Sequence, residues 1–146
     1  MKPETLGLVL GGVLPAFLFA IDGVSSKAAA RTGMSWAPFM IATGLTIALA
    51  GAVALYFDEE RRFTSGGVGF AVLKGAVWAL GSILVVVALS RFGAPLAKLA
   101  PLYNMNALIA AALALVLFRE HTQVDTVRLL GGALLVVGGA ALVATA

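Results

Sequence analysis

Cysteine is missing from all 146 residues, and histidine occurs once. The first absence excludes disulfides, thiol nucleophiles and thiolate metal sites, and the second leaves no imidazole set for a metal. Charge is scarce as well. Ten Lys/Arg and seven Asp/Glu make 12% of the chain, against 61% hydrophobic residues and a mean hydropathy of +1.03. A soluble domain of this length would need far more polar surface. The composition therefore predicts an all-α integral membrane protein. The net charge of +3 would suggest nucleic acid in a soluble chain, but here the basic residues stand at the ends of apolar stretches, where they set topology. No nucleic-acid partner is expected. Nor is an enzyme: the apolar stretches hold no paired carboxylates and no nucleophile with a base at helical spacing, and Gly66-Gly67-Val68-Gly69 follows no strand. No metal and no cofactor is implied.

What is present is a series of five apolar runs, at about residues 5–31, 36–57, 68–90, 95–118 and 123–145, read as five transmembrane helices in a single membrane domain covering residues 1–146. The first is interrupted by Pro15, where a kink is expected. A signal peptide is the alternative for this run, but Glu4, Pro15 and Asp22 fit one poorly and further spans follow. Gly7 and Gly11 form a small-residue stripe on it, as do Gly44, Ala48 and Ala52 on the second span. The second span has Trp36 and Tyr56-Phe57 at its two ends, as suits the two interfaces. The charged run Asp58 to Arg62 that follows, extending through Thr64-Ser65-Gly66-Gly67, reads as a solvated turn. On the third span Lys74, Trp78 and Ser82 share a face. Trp78 is too deep for an interfacial belt, so stacking in the bundle or lining a cavity is expected.

Gly93 and Pro95 supply stop and start signals around the next junction. The fourth run then carries unusual groups for a membrane span: Lys98, Pro101, Tyr103, Asn104 and Asn106. A helix from Pro95 to Phe118 would be about 36 Å long and would cross a bilayer. Polar groups in hydrocarbon are costly, so these should face protein or a wet cavity, although interhelical hydrogen bonding of the two amides and snorkelling of Lys98 would also serve. Helical spacing sets Lys98, Pro101 and Asn104 on one side and Tyr103 with Asn106 on a neighbouring one. Pro101 has no N–H for the Ala97 carbonyl, so the helix should bend there.

Thr122 and Asp125 are spaced as a capping box before the fifth span, and the lone His121 reads as a solvated loop residue. Gly131-Gly132 and Gly138-Gly139 recur seven apart, a period that keeps one flat seam facing a partner helix, within the subunit or across a dimer. Five spans put the termini on opposite sides. Lys2, Arg61, Arg62, Arg119 and Arg128 flank one side, and Lys27, Arg31, Arg91 and Lys98 the other. So small a bias predicts weak control of orientation and allows pairing with an inverted copy.

The succession Ala88-Leu89, Ala97, Pro101, an apolar run to Glu120, then Gly131-Gly132 and Gly138, with Lys27 near the end of span one, resembles the EamA-like repeat of the drug/metabolite transporter superfamily. The likeness covers nearly the whole chain, which looks like one five-span repeat of a family whose full-length members carry two in opposite orientation. The resemblance implies a bacterial or archaeal cell-membrane protein that pairs with an inverted copy or a paralogous five-span chain. It also implies a secondary transporter that moves a small metabolite or drug by alternating access. The related four-span multidrug exporters use a glutamate in the middle of their first helix, where this chain has Gly11, Gly12 and Pro15, so cationic drug antiport is disfavoured. Asp22 lies past that middle, and both a salt bridge to Lys27 or Lys98 and a proton-coupling role are open to it. Lys74 and Lys98 against one embedded acid tilt the expected solute toward neutral, zwitterionic or anionic.

The candidate solute-binding residues are accordingly Trp78, Lys98, Tyr103, Asn104 and Asn106, with Asp22 and Lys27 as a coupling or salt-bridge pair. Two other readings use the same features: a lipid-linked sugar or phospholipid translocase or its accessory subunit, with lysines at phosphate headgroups, and a non-transporting membrane assembly protein built on the glycine seams.

Overall fold

A computed structural model describes residues 3–119, 122 and 124–146. Lys2, Glu120, His121 and Gln123, and what the sequence predicts for them, lie outside these. The described chain is all helical: α1 (Pro3–Leu8), a π-helical turn (Val9–Val13), α2 (Leu14–Arg31), α3 (Trp36–Phe57), α4 (Ser65–Ser90), α5 (Leu96–Asn104), α6 (Asn106–Leu117) and α7 (Thr126–Thr145). They make five membrane-length apolar spans, Thr5–Arg31, Trp36–Phe57, Ser65–Ser90, Leu96–Leu117 and Thr126–Thr145, and the chain is a multi-pass membrane protein.

Three element boundaries differ from the sequence expectation, each because a side chain or a backbone turn intervenes. Span three starts at Ser65, three residues early, because the Thr64 hydroxyl accepts the N–H of Gly67 at 3.2 Å and caps the helix. The polar turn thus surrenders Ser65-Gly66-Gly67 to the helix. Gly67 permits this approach: a Cβ there would stand 2.7 Å from the Thr64 hydroxyl. Span four starts at Leu96 with Pro95 just outside it, after Gly93 turns the chain at φ +63. Span five starts at Thr126, and its cap is Asp125 rather than Thr122. The Asp125 carboxylate accepts the N–H groups of Val127 and Arg128, each at 3.1 Å, and pairs with the Arg128 guanidinium at 3.1 Å. One carboxylate serving two orphan donors at the positive end of a helix makes the longer capping box redundant.

The chain divides into two compact units, residues 1–93 and 94–146. In the first, α4 packs against both α2 and α3. Its buried residues among those described are Gly23 and Ser26 on α2 and Val86 and Leu89 on α4. The buried residues are small on α2 and branched on α4, a pairing that lets membrane helices approach closely without a hydrophobic driving force. Half-buried Ala37, Phe39, Met40 and Thr43 bring the start of α3 to the same level. Away from that end the helices part: every residue from Gly44 to Trp78 is exposed. In the second unit α5 packs against α7, which turns inward Thr126, Leu129, Ala133, Ala140 and Val143.

Candidate functional site

Two spans are interrupted along their length, and a proline lies within four residues of each interruption. In span one the amide of Leu14 bonds to the carbonyl of Val9, five residues back, which widens the turn just before Pro15. Proline would strike the carbonyl four residues earlier and has no N–H to give it, and an extra residue in the preceding turn relieves that clash. A π turn over Gly11 and Gly12 thus stands directly before Pro15, the position at which the sequence predicts a kink. In span four α5 runs on through Pro101 and stops at Asn104, and α6 begins at Asn106. The break falls at Met105, four residues beyond the proline, where the amide bonds to Leu102 at 3.3 Å.

Asn104 and Asn106 bracket this break. They lie about 12 and 15 Å along a span that begins at Leu96, close to the depth of a bilayer centre. Both are exposed, and neither side chain has a hydrogen-bond partner among the described residues. Lys98, Pro101 and Tyr103 are half-buried. The sequence spacing that put Asn104 beside Lys98 and Pro101 holds through one turn, but Asn104 ends on the open side of α5. An unpartnered carboxamide is costly in hydrocarbon, about 4–8 kcal/mol for transfer from water to cyclohexane, which disfavours lipid as the covering of this surface.

The other candidates belong to the first unit. Trp78 is 42% exposed on α4, with Lys74 exposed and Ser82 half-buried on the turns either side. Asp22 is exposed on α2, directly before buried Gly23, and Lys27 is half-buried one turn on. The ion pairs seen among the described residues, Glu60–Arg62 and Asp125–Arg128, lie in loops or at a helix start, and Asp22 takes part in neither. No cluster of three or more His, Asp or Glu that could hold a metal occurs among the described residues.

The glycine seam of span five is not used inside the unit. Gly131, Gly132, Gly138 and Gly139 are exposed, and a Cβ added to any of them meets nothing within 4 Å. Ala133 and Ala140, also seven apart, make the internal contact surface instead. The stripes Gly7/Gly11 and Gly44/Ala48/Ala52 are likewise exposed.

Sequence reasoning missed two features. The π turn had a signal in Gly11-Gly12 followed closely by Pro15. The second is a recess at the end of α3, lined by Gly51, Ala54, Leu55, Asp58, Arg61, Arg62 and Phe63. It lies at the turn the sequence reads as solvated, and the run of three acids and two bases gave no sign of it.

No family model matches this chain, and no curated protein or solved structure matches it either.

Proposed function

We propose that the chain is one half of a secondary transporter for small solutes, completed by a second five-span chain in inverted orientation and working by alternating access. The reading is carried by Asn104 and Asn106, two hydrogen-bonding amides on the open side of a broken span at mid-membrane depth. Discontinuous helices at the midplane are where carriers hold their cargo, because irregular backbone and polar side chains are tolerated there only beside protein or water. The amides need a covering, and a second copy enclosing a solute supplies it. The resemblance to EamA-like repeats supports the same reading, with Lys98 and Tyr103 beside the amides. Asp22 and Lys27 on span one and Trp78 on span three belong to the first unit.

Cargo is a small neutral, zwitterionic or anionic molecule. Lys98 supplies a charge for an acidic group, and the two carboxamides supply donors and acceptors. A purely assembling subunit is the competing reading, favoured by the exposed glycines of span five, which suit helix pairing without transport.

Uptake of a panel of such solutes into proteoliposomes separates the two. The parent chain accumulates at least one solute, and Asn104→Leu with Asn106→Leu abolishes uptake while the dimer persists on cross-linking. A parent that moves nothing, or a double variant that transports as well as the parent, overturns the carrier reading.

A further inference from the structure

The recess at the end of α3 has an amphiphilic lining. Gly51, Ala54, Leu55 and Asp58 follow one another at helical spacing on a single face of α3 and its exit, so the recess extends about 10 Å along the helix from its charged mouth into the apolar span. Its volume of about 270 Å³ is slightly below the range of about 300–1,000 Å³ usual for whole small-molecule pockets, which suits a headgroup and the first methylenes behind it. Phe63 lines the recess, and Tyr56 and Phe57 at the end of α3 are exposed as well, the aromatic composition expected of a membrane interface.

The mouth carries both signs of charge. Asp58 accepts the N–H of Glu60 on its carboxylate at 3.1 Å, and its backbone carbonyl accepts from Nε of Arg61 at 3.2 Å. That leaves the fork of Arg61, the end suited to bidentate phosphate binding, without a partner among the described residues. Arg61 holds this position at φ +44, a conformation that L residues rarely adopt. Arg62 pairs with Glu60 at 3.3 Å and also lines the recess. A purely anionic lipid would meet the Asp58 carboxylate in the lining with nothing to offer it. A headgroup carrying phosphate and a primary ammonium satisfies both signs.

We propose that this recess binds a phospholipid whose headgroup bears both groups, the phosphate on Arg61 and Arg62, the ammonium on Asp58, and an acyl chain along Gly51, Ala54 and Leu55. The proposal is independent of the transport reading. It assigns an occupant to the end of the first unit where α3 and α4 part.

The test offers the purified full chain phosphatidylethanolamine, phosphatidylcholine and phosphatidylglycerol with identical acyl chains, and reads retained lipid by native mass spectrometry. Phosphatidylethanolamine is expected to be held about tenfold more tightly than phosphatidylcholine, whose trimethylammonium has no N–H, the difference expected of one charge-assisted hydrogen bond. Asp58→Asn keeps the acceptor for the Glu60 N–H and erases that preference. Arg61→Gly removes the phosphate fork while relieving the backbone, so the fold holds and retention of all three lipids falls. Equal retention of phosphatidylethanolamine and phosphatidylcholine overturns the proposal. So does a preference for phosphatidylglycerol, or unchanged retention in the two variants.

Discussion

The amide of Met105 donates to the carbonyl of Leu102, three residues back, where a continuous helix would reach four back to Pro101. This tightened turn separates α5 from α6 and sets Asn104 and Asn106 on its two sides. Two causes compete for it. Pro101 disturbs the hydrogen-bond ladder one turn earlier, while the polar triplet Asn104-Met105-Asn106 has poor helix preference of its own.

Pro101→Ala distinguishes them. Alanine restores the N–H that the Ala97 carbonyl lacks and is favoured over proline in a helix interior by about 3 kcal/mol. With proline as the cause, span four becomes continuous, and amide hydrogen exchange at Leu102–Asn106 slows at least tenfold. Unchanged exchange would assign the break to the asparagines.

Packing between α2 and α4 yields a second expectation. Ser26 is only 6% exposed, and Val86 and Leu89 are buried on the facing helix. Ser26→Leu adds two heavy atoms and a branch at a buried position and should destabilise the chain by about 1–3 kcal/mol. Gly44→Leu, where an added Cβ meets nothing within 4 Å, is the control. Thermal unfolding in detergent should show a lower midpoint for the first and not for the second.

The span-five seam makes a third. Gly139→Leu leaves the second unit intact, because the site is open and Ala140 rather than glycine makes the internal contact. If the seam joins two copies, the bulky side chain holds their backbones apart. Cysteine cross-linking across span five in vesicles should then fall sharply while the helical content by circular dichroism stays the same. Cross-linking equal to that of the parent would place the interface elsewhere.

Much of the site was legible because lipid is an intolerant solvent. Lys98, Tyr103, Asn104 and Asn106 stand out in an apolar run whatever the fold, since hydrocarbon offers them no partner. The seam glycines of span five were equally visible, but their surroundings were not. Periodicity identifies a flat face without saying which helix covers it, and α7 turns its alanines inward instead. The charged turn after span two is exposed, as its composition predicts, but composition gave no sign that Asp58, Arg61 and Arg62 line a recess with Gly51, Ala54 and Leu55.

The amino-acid sequence by itself determined the five spans, their approximate ends and the fact that helix alone could satisfy their backbone, because those follow from hydropathy and length in a medium without water. Tertiary structure decided which faces close and which stay open: Gly23 and Ser26 inward against α4, Asn104 and Asn106 outward, the helices parted from Gly44 to Trp78. The reason is that small and apolar side chains are equally at home against lipid or another helix. Only the fit of particular surfaces, such as those that bury Ser26 on α2 and Val86 and Leu89 on α4, chooses between them.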